Sequence, residues 1–271
     1  MSTRWNPNET FQRINLHRVI HALLGPGPVA EAPKAGNNVF RDAGQSTDKE
    51  HICAQTCKCA PVLSRRARIM NHPLQCRCGT LKGFVENPKS GNRVICYCRD
   101  CQAFAYFLGR ANDVLDERGG SDVIQILPKN ITFTQGIEAL ACMRLTDKGL
   151  LRWYASCCNT PIGNTLATPR MSFIGLLHSC VEPADKPLDD AFGAVRGWVN
   201  TKSAKGSPKP RQVVGPTIGW FLTKVLRARF NGDYKHTPFF RADTGTPLVS
   251  PRVLSREEHA SVMNAVRAAT G

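Results

Sequence analysis

From Leu74 to Leu177 the apolar residues fall in short β-like runs separated by turn signals. Runs at 80–85, 93–97, 123–127, 131–134, 140–145, 151–154 and 172–177 predict seven strands. Asn87-Pro88-Lys89-Ser90-Gly91 links the first two, Pro128-Lys129-Asn130 the third and fourth, and Asp147-Lys148-Gly149 makes a tight hairpin between the fifth and sixth. Links this short favour antiparallel neighbours in one sheet or two, because parallel strands need a long crossover. Helical spacing is confined to the stretch after Cys101, where Phe104, Phe107 and Leu108 share a side.

The pattern changes at both ends. Residues 201–212 are rich in Lys, Ser and Pro and read as an exposed loop. Beyond them Ile218, Phe221, Leu222, Val225, Leu226 and Phe230 fall on one helical face with Lys224, Arg227 and Arg229 opposite, and Asn231-Gly232 closes the helix. A second helix starts at Ser255, where Ser255 and Glu258 fit a capping box, and carries Val262, Ala265, Val266 and Ala269. Before residue 70 no period is sustained: Gly25-Pro26-Gly27-Pro28 and the Gly/Asn/Asp/Ser-rich run 36–49 surround one short apolar patch at Val19, Ile20, Leu23 and Leu24. Arg4, Arg13 and Arg18 with one acid, Glu9, give a faint transit-peptide character. The division expected is a poorly ordered extension over 1–69, dispensable or upstream of a true start at Met70, a zinc-binding β domain over 70–200, and a basic helical extension over 201–271. The class is mainly β, an antiparallel sheet fold with C-terminal helices, α+β overall.

A 271-residue chain that is 42% hydrophobic and 21% charged can bury a sizeable core, which excludes disorder throughout. No window offers the run of about eighteen apolar residues a bilayer crossing needs, and no secretory signal opens the chain, so a cytoplasmic location is expected. The net charge of +15 permits polyanion binding, and residues 201–271 contribute twelve Lys/Arg against four Asp/Glu. Aromatic and basic residues do not interleave as in single-strand binders, and a nucleic-acid partner is not expected.

Cysteine spacing brings in chemistry. The twelve cysteines stand at 53, 57, 59, 76, 78, 96, 98, 101, 142, 157, 158 and 180, five of them between Cys76 and Cys101. Gaps of one or two residues let neighbouring thiolates reach one ion but not bond to each other. Cys76-Arg77-Cys78-Gly79 with Cys157-Cys158 can close a tetrahedral structural site. Cys96-Tyr97-Cys98-Arg99-Asp100-Cys101 supplies three thiolates from one loop and leaves a fourth corner open, the arrangement of catalytic zinc; a structural zinc completed elsewhere, or no metal, are the other readings. Cys142 and Cys180 read as small core residues, Trp153, Tyr154 and Phe173 as core aromatics, and His178 as a strand-end histidine. Cys53, Cys57 and Cys59 mimic a ligand cluster in an unpatterned region.

The Cys-x-Cys-Gly, Cys-x-Cys-x-x-Cys and late cysteine motifs, in that order on a strand-rich chain, resemble the glutathione-dependent formaldehyde-activating enzymes and the related centromere protein V domains, with an Mss4-like zinc-bearing β fold. The likeness covers about Leu74 to Leu177. It implies a structural zinc on Cys76, Cys78 and the late pair, and a catalytic zinc on Cys96, Cys98 and Cys101 where glutathione and formaldehyde combine to S-hydroxymethylglutathione, a carbon–sulfur lyase chemistry. Arg99 and Asp100, inside the loop, are candidates for orienting glutathione. The late motif departs from the family's Cys-x-x-Cys: with Cys158 in second place the first falls on Ala155, so Cys157 must stand in. Adjacent strand residues face opposite ways, and the pair therefore needs a turn or bulge, for which Asn159 tolerates the left-handed conformation. The competing expectation is a non-catalytic zinc-stabilised module that docks a protein or nucleic-acid partner through the basic C-terminal region.

Overall fold

The computed structural model describes residues 71–181 and 187–270. The expectations for 1–69, including Cys53, Cys57 and Cys59, lie outside the described residues.

Among the described residues eleven strands form two sheets. The smaller is antiparallel, in the order β1 (Asn71–Gln75), β2 (Lys82–Glu86), β5 (Ile131–Gln135). The larger runs β10 (Gly197–Val199), β3 (Asn92–Cys96), β4 (Ser121–Ile126), β9 (Ile174–Leu177), β8 (Thr160–Thr165), β7 (Leu151–Ala155), β6 (Leu140–Arg144), β11 (Arg252–Val253). Its inner strands are antiparallel, and its two outer pairs, β10 with β3 and β11 with β6, are parallel. The seven expected strands all form, with the first beginning at Lys82 and the last at Ile174.

The main core lies between the sheets, where Leu74, Val85 and Ile131 of the small sheet meet Ile124, Leu140, Trp153, Ile162 and Leu176 of the large one. Cys142 and Cys180 are buried here as expected. Phe239 and Phe240 enter the same core, with the Phe239 ring 5.1 Å from that of Trp153, so the chain beyond residue 201 is built into the β body. On the other face of the large sheet, helix α1 (Arg99–Phe107) places Phe104 and Leu108 with Met143 of β6 and Val266 of the last helix, Arg256–Thr270. That helix begins with the expected capping box: Glu258 N donates to Ser255 Oγ at 3.1 Å, and Ser255 N donates to Glu258 Oε2 at 2.9 Å. Among the described residues no helix is long and apolar enough to cross a membrane.

The helix expected around Lys224 is present as Gly215–Trp220, a π-helical turn Phe221–Val225, and Leu226–Phe230. Its apolar face is a correction to the sequence reading. Phe221 and Val225 are buried, but Ile218, Leu222 and Phe230 are exposed, so the stripe is split and only part of it faces the core.

Gly136 ties the fold to the cysteines. It turns the chain after β5 at φ 72°, and a Cβ there would stand 2.1 Å from the Thr80 carbonyl oxygen, beside the Cys76–Cys78 loop. Gly136→Ala is expected to cost about 2 kcal/mol or more through the left-handed backbone and the clash. Urea unfolding checks this; an unchanged midpoint would contradict it.

Candidate metal centres

Among the described residues two groups of cysteines form sites capable of holding metal ions. The first begins where β1 runs out at Gln75. The chain reverses over 76–79, with Gly79 N donating to Cys76 O at 2.9 Å and Gly79 left-handed at φ 75°. Cys157 and Cys158 occupy the turn between β7 and β8, and Asn159 after them is left-handed at φ 55°. The turn removes the strand alternation that would have parted the two side chains, and Cys157 stands in the place that the buried Ala155 cannot fill. Its Sγ is 3.7 Å from that of Cys76, 3.3 Å from Cys78 and 3.8 Å from Cys158, while Cys76 and Cys78 are 3.5 Å apart. All four sulfurs lie within 4.8 Å of one another, and none is in a disulfide.

Neighbouring donors hold the sulfurs in place. Leu81 N donates to Cys76 Sγ at 3.3 Å, and the Thr80 and Thr160 hydroxyls lie 3.2 Å from Cys78 Sγ and 3.1 Å from Cys158 Sγ. The Thr80 hydroxyl, with its backbone, lowers the Cys78 thiol pKa to about 6. Arg110, just past α1, donates to the Cys158 carbonyl at 2.5 Å and shares Asp113 with Arg77, so both halves of the site are braced from outside.

The second group sits at the junction of β3 and α1. Cys96 is the buried last residue of β3, and Cys98 is the N-cap of α1, its Sγ accepting from Cys101 N at 3.3 Å. Cys101 lies in the first helical turn, three residues on, which returns its side chain to the Cys98 side. The three sulfurs lie within 4.8 Å of one another, and among the described residues no further Cys, His, Asp or Glu joins the group. His178 stands apart, its Nδ1 3.4 Å from the Asp122 carbonyl oxygen at the end of β9.

Two residues of this site were not singled out from sequence. Arg152 of β7 is 2% exposed; its guanidinium lies 5.4 Å from the Phe104 ring centroid and donates to Asn164 Oδ1 at 3.1 Å. The Cys96 and Cys98 thiols, with Arg152, hold the Cys101 pKa well below the ordinary thiol value. Asn200, left-handed at φ 56° after β10, donates to Cys96 Sγ at 3.5 Å. Of the two candidate glutathione contacts, Arg99 and Asp100 are both exposed in the first turn of α1, and Asp100 Oδ2 is 3.7 Å from Arg152 Nη2.

Two sheets carrying a four-cysteine and a three-cysteine cluster define a mainly β protein with two metal-competent centres. Residues 69–247 match the profile of a family described as a family of unknown function (DUF6151), and the chain belongs to that family. The match takes in both clusters, Arg152 and Asn200. No significant match to a curated protein is found.

Proposed function

We propose that the chain is a zinc-dependent, carbon–sulfur lyase-like protein that makes or breaks the adduct of glutathione, or another thiol, with formaldehyde or another small aldehyde, on an Mss4-like fold. The carrying observation is the second cluster: three converging sulfurs, with Cys98 and Cys101 partly exposed and no fourth ligand in the group among the described residues. Soft thiolate sets favour zinc, and a tetrahedron with Zn–S bonds of about 2.3 Å has S···S edges of about 3.8 Å. Four sulfur–sulfur separations in the first cluster, 3.3 to 3.8 Å, suit that size, so Cys76, Cys78, Cys157 and Cys158 would hold a closed ion and Cys96, Cys98 and Cys101 an open one.

Held by Cys96, Cys98 and Cys101, a zinc ion would supply the positive charge that keeps an incoming thiol deprotonated near neutrality. Three thiolates around a dication leave one net negative charge, which Arg152 offsets from within the fold. Arg99 and Asp100 at the rim offer a guanidinium to the glutathione carboxylates and a carboxylate to its ammonium group. In the reaction the sulfur adds to the carbonyl carbon, a C–S bond forms, and the carbonyl oxygen takes a proton from water in exchange for the one the thiol released.

Cys98→Ser tests the reading, because serine keeps the N-cap while removing a soft ligand. The expected result is two zinc ions per chain falling to one with the fold intact, together with loss of the protein's acceleration of glutathione–formaldehyde exchange measured by NMR. One ion per chain that is indifferent to Cys98→Ser, or exchange at its uncatalysed rate with the native protein, would defeat it. The second outcome would favour the non-catalytic module, for which the exposed apolar side chains beside Lys224 and Arg227 speak.

A further inference from the structure

Among the described residues five large apolar side chains are strongly exposed, and three of them, Ile218, Leu222 and Phe230, belong to the helical run from Gly215 to Phe230. Phe230 is 86% exposed, although Phe221 and Val225 of the same run anchor it firmly to the body. In an unbroken α-helix residues twelve apart diverge by about 120°, but the extra residue of the π turn brings Phe230 back to within about 20° of Ile218. The half-exposed Leu226 continues the row.

Through Trp220, Lys224, Arg227 and Ala228 the same helical run lines a cleft of roughly 710 Å³, whose lining also includes Lys89, Lys129 and a single acid, Asp233. Asp233 is already paired with Lys129 at 2.6 Å. No acidic side chain among the described residues pairs with Lys89, Lys224 or Arg227, so the cleft keeps a surplus of three positive charges. A second copy of the chain is a poor occupant, since a two-fold contact through this face would set like charges against each other.

We propose that this face docks onto an anionic phospholipid surface, with headgroup phosphates in the basic cleft and Ile218, Leu222 and Phe230 at the acyl boundary. Apolar side chains flanked by lysine and arginine on a surface helix are the physical requirement for such binding. The proposal is independent of the chemistry at the cysteine clusters.

The test is sedimentation of the full chain with phosphatidylserine-rich and with pure phosphatidylcholine vesicles. Binding is expected to the former alone and to weaken at high salt. Lys224→Gln with Arg227→Gln should reduce it about thirtyfold, at about one decade per 1.4 kcal/mol and roughly 1 kcal/mol per charge. Leu222→Ser with Phe230→Ser, at exposed positions that leave the core intact, should reduce it while keeping every charge. Native protein that stays in the supernatant with phosphatidylserine vesicles overturns the proposal, as does binding that ignores either pair of substitutions. A lipid-free dimer abolished by Phe230→Ser would overturn it too, assigning the face to a second copy.

Discussion

Cys78→Ser is expected to release one metal ion per chain and to lower unfolding free energy by at least about 3 kcal/mol, part of the roughly 10–16 kcal/mol such sites contribute in small zinc domains. The size of the effect is diagnostic because Cys78 is exposed. An exposed Cys→Ser change away from a special feature stays within about 0.5 kcal/mol, and serine can keep the contact with the Thr80 hydroxyl. Packing therefore cannot mimic the loss. The stabilisation arises because residues 76–78 and 157–158 lie about eighty residues apart in the chain, and an ion shared between them restricts the chain only when it is folded. Metal content by mass spectrometry and urea unfolding read the two halves of the expectation. A stability change of only a few tenths of a kcal/mol would show that nothing bridges these four sulfurs.

Arg152→Gln is the second large effect, about 3–5 kcal/mol, since it removes a buried cation and leaves its partners uncompensated. Asn164 Oδ1 loses its donor, and the three-cysteine group loses the positive charge that helps hold Cys101 as a thiolate. Metal affinity at Cys96, Cys98 and Cys101 should fall about ten- to a hundredfold, the usual cost of removing a group that supports a ligand. The ion at Cys76, Cys78, Cys157 and Cys158 should be retained. Arg152→Lys restores the charge but not the planar fork, so it should recover part of the affinity. Competition titration with a chelator of known affinity separates the two sites, and equal weakening of both would reduce Arg152 to a packing role.

The strands from β2 to β7, and β9, were legible because they are short β-like runs bounded by turn residues. Strand β8 was not: Pro161 has no N–H to pair, Gly163 has no side chain to bury, and all six residues are buried. The ladder accommodates them with a register shift opposite Trp153 and Tyr154. Spacing grouped Cys96, Cys98 and Cys101 and showed the need for a turn at Cys157 and Cys158, whereas the joining of Cys76 and Cys78 to that late pair was what the resemblance implied. Arg152 was hidden for a different reason. Period-two reasoning assigns the polar side of β7 to water, whereas α1 covers it, with Phe104 set against the guanidinium. Asn200 reaches Cys96 only because β10 pairs in parallel with β3 across about a hundred residues of chain, a contact that local pattern cannot encode. The helix around Lys224 was read correctly in place, but only Phe221 and Val225 of its apolar stripe are buried, since an apolar stripe by itself does not say which part of it the body covers.

The parallel outer strands of the large sheet have a further bearing on solubility. A long bare strand at a sheet margin invites another molecule to zip onto its unpaired amides, the first step toward fibrils. Here one margin ends in the two residues Arg252 and Val253, and at the other Trp198 already exchanges hydrogen bonds with Val213. The margins of the large sheet thus present almost no template to a stranger, which leaves β1 and β5, at the two sides of the small sheet, as the longer open strands.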